Sequence, residues 1–385
     1  MWQINFNGDE ESFFVSIFLL CGLFFSQILP SALGSAYGTL ASISKWLMFI
    51  CLAFIMINVG REFELDKAKW RSYTTDYFIA MATAAVPWLL IAGYYIFFLD
   101  TGLSWENNLL ISRFAAPTSA GILFTMLAAA GLKKEWIYKK TQVLAIFDDL
   151  DTILLMIPLQ ILMIGFKWQL FVIIGVVCIL LIFGWKRLSS LNLPQSWKSI
   201  LLYSVCIVAA FESVYLISKA LMGQDGAIHI EVLLPAFVLG MVMKTVHNHS
   251  QEEERASSFI SYLFMFLVGL STPIFIGLET GGDGMPGWGM LIFHVIVVTI
   301  LSNLGKMFPL FFYRDRKIQE RLALSIGMFT RGEVGAGIIV IAMGYQLGGP
   351  ALIISILSLV LNLVLTGFFV VAVKRISQSV YGVKE

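Results

Sequence analysis

The chain has 385 residues, of which 58% are apolar and only 13% are charged, and its formal net charge is +1. A soluble domain carries about 25% charged residues, so this composition excludes an ordinary soluble protein and indicates a polytopic membrane protein. The four cysteines lie in apolar segments without disulfide or metal-site spacing, which is typical of core residues. Because the sequence has no Walker loop, zinc-ligand spacing or nucleophile elbow, we expect no enzyme activity, no cofactor and no nucleic-acid partner.

Apolar segments long enough to cross a bilayer follow one another along the whole chain. A spanning helix needs about 20 apolar residues. We predict twelve spans with short loops between them, numbered 1 to 12: 13–30, 43–60, 77–99, 109–130, 140–164, 168–185, 198–217, 230–246, 258–278, 288–312, 322–345 and 350–373. The first has no Lys or Arg before it and no clear cleavage site after it, so we interpret it as a retained span rather than a signal peptide.

Basic residues are concentrated on one side of the predicted membrane. The loops after spans 2, 4, 6, 8 and 10 and the C-terminal tail hold most of the 26 Lys and Arg residues, whereas the opposite loops hold only Lys45, Lys167 and Lys219. Cytoplasmic loops of membrane proteins are enriched in Lys and Arg. We therefore predict that both termini are cytoplasmic, and we expect a bacterial inner membrane.

Two of the predicted spans contain residues that interrupt a helix. Pro117 lies within span 4, where it removes a backbone donor and clashes with the preceding turn; the alternative is a simple kink. Span 11 has a matching weak point at 327–337, which contains Arg331, Glu333 and four glycines. Spans 3–5 and 10–12 start on opposite sides of the membrane. We therefore predict an all-α fold of inverted repeats with crossed discontinuous helices, as in secondary transporters.

Three acids, Asp148, Asp149 and Asp151, lie in the middle of span 5. A carboxylate at the bilayer centre costs about 2.5–3.5 kcal/mol on insertion scales, so these acids need a function or a partner. Lys306, the only Lys or Arg in the apolar run 291–312, is a candidate partner, and the alternative is that it snorkels. On a helix Asp149 and Asp151 point in nearly opposite directions, so one acid can face an ion cavity while its neighbour faces a partner helix.

Further charges accompany these acids. Arg331 and Glu333 are two residues apart, on opposite faces of a helix, and we expect them to compensate the partial charges of the broken helix ends or to contact an ion directly. Arg113 lies about one turn into span 4, and we expect it to pair with a neighbour or to snorkel. The span 5 acids also have a purely structural interpretation, as a buried pair that only holds helices together.

These features, in this order, resemble the bacterial sodium/proton antiporters of the monovalent cation:proton antiporter superfamily. The resemblance depends on Asp148-Asp149 in span 5, Lys306 in span 10 and the Arg-Gly-Glu-Val-Gly run at 331–335 in span 11. Two supporting stretches are 59–66, near span 2, and 264–270, in span 9. Together these motifs cover essentially the whole chain.

The resemblance implies a transport subdomain and a scaffold that moves little. The transport core is expected at about 77–164 and 288–373, the dimerisation scaffold at about 13–60 and 198–278, and a linker helix at about 168–190. It further implies elevator-like alternating access in a homodimer embedded in membrane lipid.

The resemblance also implies roles for single residues. Asp149 is expected to bind Na+ (or Li+) and protons in turn, while Asp148 pairs with Lys306. Thr118 and Ser119, in the unwound part of span 4, are expected to lend oxygen ligands. A double aspartate with this lysine is associated in the superfamily with electrogenic exchange of two protons per sodium.

The chain departs from the family pattern at Asp151, an additional acid that can shift stoichiometry or ion choice, and at Ala145, where some members have a hydroxyl. Three alternatives remain open. They are K+/H+ exchange, sodium-coupled organic-anion symport, which the acids of span 5 disfavour, and a non-transporting receptor or assembly subunit, which the short loops disfavour.

Overall fold

In the computed structural model, helices make up the regular secondary structure of the described residues. The residues that the structure describes are 8–34, 36–61, 70–99, 102–119, 127, 132, 135–155, 158–159, 162, 168–222, 232–244, 251–271, 287–345 and 347–381. The helices are α1 Gly8–Leu33, α2 Ala36–Arg61, α3 Trp70–Phe97, α4 Trp105–Ser112, α5 Trp136–Leu154, α6 Trp168–Lys186, α7 Trp197–Met222, α8 Leu233–Val242, α9 Gln251–Leu270, α10 Trp288–Gly305, α11 Ile318–Gly327, α12 Glu333–Gly344 and α13 Gly349–Tyr381.

The predicted fold class, an all-α polytopic membrane protein with discontinuous helices, is confirmed. Helices α1 to α10 overlap the predicted spans of the same number, and α13 overlaps span 12. Among the described residues, five helices are long and apolar enough to cross a membrane: α2, α3, α7, α10 and α13. The number of twelve spans stays a prediction, since the second half of span 4 and much of the end of span 5 lie outside the described residues.

The two predicted interruptions are breaks rather than kinks. Helix α4 ends at Ser112, a short 3-10 turn covers Arg113–Ala115, and the chain is non-helical through Ser119. The simple kink at Pro117 is therefore wrong. Span 11 is divided into α11 and α12 by the non-helical residues 328–332. In both spans the backbone leaves the helix among residues that interrupt helical hydrogen bonding or add conformational freedom.

Paired glycines bring two helix pairs into close contact. In the α2–α8 pair, Gly60 lies against the carbonyl of Phe237, and Gly240 lies against the backbone of α2. In the α1–α9 pair, Gly22 and Gly269 are arranged in the same way. Span 1 can be matched with span 8, span 2 with span 9 and span 4 with span 11. The contact between α1 and α9 then corresponds to the contact between α8 and α2, and the two broken spans correspond to each other. This correspondence is what two inverted repeats produce.

Replacing Gly60 by alanine is expected to destabilise the fold by about 1–3 kcal/mol, as overpacking does in other cores. A Cβ at Gly60 overlaps the Phe237 carbonyl and lies 3.0 Å from the amide nitrogen of Met241. Both are backbone atoms, so neither moves without shifting a helix. The melting temperature in detergent measures the effect. Gly93→Ala on α3 is the matched control, because its Cβ meets nothing within 4 Å; equal melting temperatures for the two variants would contradict the close packing.

Polar pairs connect α10 and α13 within the protein. Thr299 bonds Ser358 at 2.9 Å and the Asn303 amide donates to Asn362 at 2.9 Å, both between α10 and α13. Interhelical hydrogen bonds of this kind hold membrane helices at a fixed register. Because Lys306 directly follows α10, these bonds also fix its depth and direction.

Candidate functional site

The two broken spans cross at their non-helical segments and share hydrogen bonds there. The amide of Ser119 donates to the carbonyl of Thr330 at 3.0 Å, and the Thr330 hydroxyl donates to the carbonyl of Ser119 at 3.4 Å. The hydroxyl of Thr118 donates to the carbonyl of Met328 at 3.3 Å. The crossing therefore meets part of the backbone hydrogen-bonding demand that a break inside a membrane creates.

Two buried basic side chains also donate to carbonyls at the breaks. Lys306 donates to the carbonyl of Ala116, at the end of the first half of span 4. Arg331 donates to the carbonyls of Pro117 at 3.4 Å and Met328 at 3.2 Å, and to the Ser302 hydroxyl at 2.7 Å. Carbonyls at helix C-termini lack intrahelical donors and carry the negative end of the helix dipole. These contacts are those expected of charge compensation at a broken helix.

The acids of span 5 lie beside these cations. Asp148 forms an ion pair with Lys306 at 2.7 Å, and both side chains are 0% exposed. Lys306 therefore does not snorkel, and its ammonium contacts both oxygens of Asp148. Asp149 is fully buried and also interacts electrostatically with Lys306. Asp151 is 1% exposed and lies close to Tyr77 of α3.

Arg113 is a member of this cluster that sequence reasoning did not place there. The side chain is fully buried, so the snorkelling alternative is wrong. Its guanidinium donates to the backbone carbonyls of Thr152 and Asp151, near the end of α5. The sequence did contain one indication of its position: the prediction gave the three acids of span 5 a single basic partner, Lys306, so further buried basic residues were needed.

In the described part of the chain, equal numbers of buried acidic and basic side chains lie at the crossing. Among the described side chains, three acids and three bases lie there at 1% exposure or less: Asp148, Asp149, Asp151, Arg113, Lys306 and Arg331. Charges withdrawn from water need compensation of this kind. Glu333 is the first residue of α12, where an acid favours the positive end of a helix dipole, but its side chain lies outside the described residues.

A second polar cluster joins the ends of α3, α5 and the segment after α10. In the predicted orientation these ends face the cytoplasm. Asp76 of α3 accepts from Lys140 of α5 at 2.8 Å and from the hydroxyl of Tyr313 at 2.8 Å. Tyr313 follows α10, so the cluster joins α3, α5 and α10. Burial and the nearby Asp76 carboxylate raise the pKa of the Tyr313 phenol, which therefore stays a hydrogen-bond donor.

Other predicted features lie wholly or partly outside the described residues. The stretch at 59–66 is described only as far as Arg61, and the hydroxyl-rich part of span 4 only as far as Ser119. Thr118 and Ser119 are both buried. The crossing thus provides carboxylate and hydroxyl oxygens, which are the donors that hard cations prefer.

Comparisons with a family model and with solved structures support the resemblance to sodium/proton antiporters. A family model described as "Sodium/hydrogen exchanger, transmembrane" matches residues 14–374. One structure of the sodium proton antiporter MjNhaP1 from Methanocaldococcus jannaschii, at pH 8, is similar with a TM-score of 0.58 and 12% identity over 92% of each chain. An electron-microscopy structure of the same antiporter has a TM-score of 0.56 and 14% identity, over 96% of this chain and 92% of the other.

At such low identity the two structures show a shared fold alone. No curated protein matches the chain by sequence. The family match extends over most of the chain and includes both broken spans and the buried ion pair. The chain is a member of the sodium/hydrogen exchanger family of integral membrane transporters.

Proposed function

We propose that this protein exchanges Na+ (or Li+) for protons across the membrane, with both ions competing for Asp149. One observation carries the proposal. Asp149 is buried next to the Asp148–Lys306 ion pair, which itself lies at the crossing of two broken helices. An ionisable group inside a membrane marks an ion pathway by default. Family membership and the likeness to an antiporter structure support the same class of transport.

Asp149 alternates between two occupants in this proposal. The protonated carboxyl is neutral and binds no cation, whereas the carboxylate attracts one. The hydroxyl of Thr118 already donates to a backbone carbonyl, so its lone pairs are directed away from that bond and can coordinate a cation together with Ser119. Lys306 neutralises Asp148, which leaves Asp149 to supply the charge for the incoming ion. The cycle consists of cation binding and proton transfer and consumes no ATP, so exchange needs only ion gradients.

Alternating access follows from movement of the core against the scaffold. We assign 77–164 and 288–373 to the moving core, 13–60 and 198–278 to the scaffold of a homodimer, and 168–190 to the linker between them. All six buried charged residues that are described at the crossing lie within the ranges assigned to the core, which supports this assignment. If two protons move per Na+, the net charge couples exchange to the membrane potential by about 2.3 kcal/mol per 100 mV. We also propose that the protein lies in a bacterial inner membrane with both termini on the cytoplasmic side.

Purified protein in sealed proteoliposomes tests the proposal, with a pH-sensitive dye reporting proton movement after a cation is added. We expect Na+ and Li+ to evoke proton flux and K+ to evoke much less. A response to K+ without a response to Na+ would favour K+/H+ exchange. Absence of flux with all three cations, from folded protein, would contradict the proposed function.

A further inference from the structure

Arg113 occupies the last turn before the break in span 4. It is the C-cap of α4, and its side chain is 0% exposed. Pro117 follows four residues later, and the proposed oxygen ligands Thr118 and Ser119 come directly after it. A fully buried arginine in a membrane protein is costly to insert, so its contacts indicate what it does.

The guanidinium binds the backbone of α5 rather than a carboxylate. Its Nε donates to the carbonyl of Thr152 at 3.1 Å, and its Nη2 donates to Thr152 at 2.5 Å and to Asp151 at 3.1 Å. The carbon of the guanidinium lies 4.7 Å from the ring centre of Trp88 on α3. The Trp88 indole in turn donates to the carbonyl of Leu109 on α4 at 2.7 Å. The side chain is therefore fixed by α3, α4 and α5 together.

These contacts lead directly to the acids. Thr152, whose carbonyl Arg113 binds, donates its own hydroxyl to the carbonyl of Asp148 at 2.8 Å. Asp149 is the next residue along α5. A short chain of hydrogen bonds therefore connects the end of α4 to the turn of α5 that contains both aspartates. It sets the position of that turn relative to the broken segment of span 4.

The other two buried bases secure different contacts. Arg331 joins span 11 to span 4 through the Pro117 carbonyl, and Lys306 joins the end of α10 to Asp148 and Ala116. A lysine reaches its partners through a flexible chain, whereas arginine presents a planar fork of N–H groups with fixed geometry. Arg113 thus joins span 4 directly to α5 through a planar group, close in sequence to Thr118 and to Asp149.

We propose that Arg113 is a positioning residue that determines cation specificity by fixing the distance between Asp149 and the Thr118 and Ser119 oxygens. This inference rests on the proposed function and goes beyond it. Selectivity among cations of equal ligand type depends on cavity size and rigidity. A span 4 segment held close to α5 favours the smaller Na+ and Li+ over K+.

Arg113→Lys tests the proposal, because it keeps the charge but loses the planar fork. In proteoliposomes we expect the ratio of apparent KM for K+ to apparent KM for Na+ to fall about tenfold, equivalent to about 1.4 kcal/mol. The maximal rate should change less than this ratio. Arg316→Lys is the matched control: Arg316 also lies over a tryptophan, 5.1 Å from the Trp136 ring centre, but its side chain is 40% exposed in a loop. Its ratio should equal that of wild type.

Two further measurements keep the test decisive. Trp88→Phe keeps an aromatic ring against the guanidinium but removes the bond to Leu109, so it should shift the KM ratio less and in the same direction, even if Arg113→Lys does not fold. Melting temperatures in Na+ and in K+ report cation preference without transport. An unchanged preference in folded variants overturns the proposal for Arg113, as does an equal loss of rate for every cation. Absence of exchange in the wild type contradicts the proposed function instead, and the melting temperatures then decide on Arg113.

Discussion

Asp149→Asn is expected to reduce Na+-evoked proton flux to the level of protein-free vesicles. The asparagine amide has nearly the shape of the carboxylate, so packing around this fully buried position is preserved. It carries no charge to hold a cation and does not titrate, so it removes both occupants of the proposed site at once. Flux in proteoliposomes measures the effect, and the melting temperature in detergent checks that the variant is folded.

Asp315→Asn is the control for this change. Asp315 lies in the loop after α10, and its side chain is 74% exposed, so the same substitution there should leave flux unchanged. Persistent flux from the Asp149→Asn protein would remove Asp149 from the transport cycle. Another of the buried acids, Asp148 or Asp151, would then have to carry the ion.

Lys306→Ala is expected to destabilise the protein by about 3–5 kcal/mol, because removing one partner of a buried ion pair leaves an uncompensated charge. Here the charge is that of Asp148, whose two oxygens lie 2.7 and 2.9 Å from the Lys306 ammonium. The Ala116 carbonyl at the break loses its donor as well. Unfolding in detergent measures the loss of stability. The milder Lys306→Gln should impair exchange or make it electroneutral, which electrical recordings from proteoliposomes can measure.

The double variant Lys306→Ala with Asp148→Asn separates the contribution of the ion pair to stability from that of the other contacts of Lys306. When two residues are in direct contact, the effects of substituting them on the free energy of unfolding are not additive, and the coupling free energy is commonly about 0.5–3 kcal/mol. We therefore expect Lys306→Ala with Asp148→Asn to be more stable than the sum of the single changes implies. Additive losses of stability would show that the ion pair itself contributes nothing to stability. Separately, unchanged charge movement in the Lys306→Gln protein would show that the lysine takes no part in coupling.

Much of the fold class and several site residues could be predicted from the sequence, because charges within apolar spans are few and each needs a partner. Asp148 and Lys306 are 158 positions apart, yet both were identified, since each is a charged residue inside an apolar run. The breaks were predicted at the right spans. In span 4 the helix ends at Ser112, before Pro117, whereas the break in span 11 covers 328–332, within the predicted 327–337.

The remaining features depend on tertiary packing that local pattern does not encode. Arg113 lies at the C-terminal end of α4, where a side chain reaches the membrane surface or the protein interior depending on its neighbours. Trp88 and the end of α5 enclose it. The glycine contacts between α2 and α8 are likewise invisible in sequence, because Gly60 and Gly240 become informative only when paired.

The most direct test of the central claim is proton release when Na+ binds to the detergent-solubilised protein, measured with an indicator dye in weak buffer. Cation binding to a carboxylate displaces its proton, so binding becomes pH-dependent. We predict that Na+ addition releases protons and that the apparent Kd for Na+ rises as pH falls, with no release from Asp149→Asn. Na+ binding with a pH-independent Kd and no proton release would contradict competition between the two ions at Asp149.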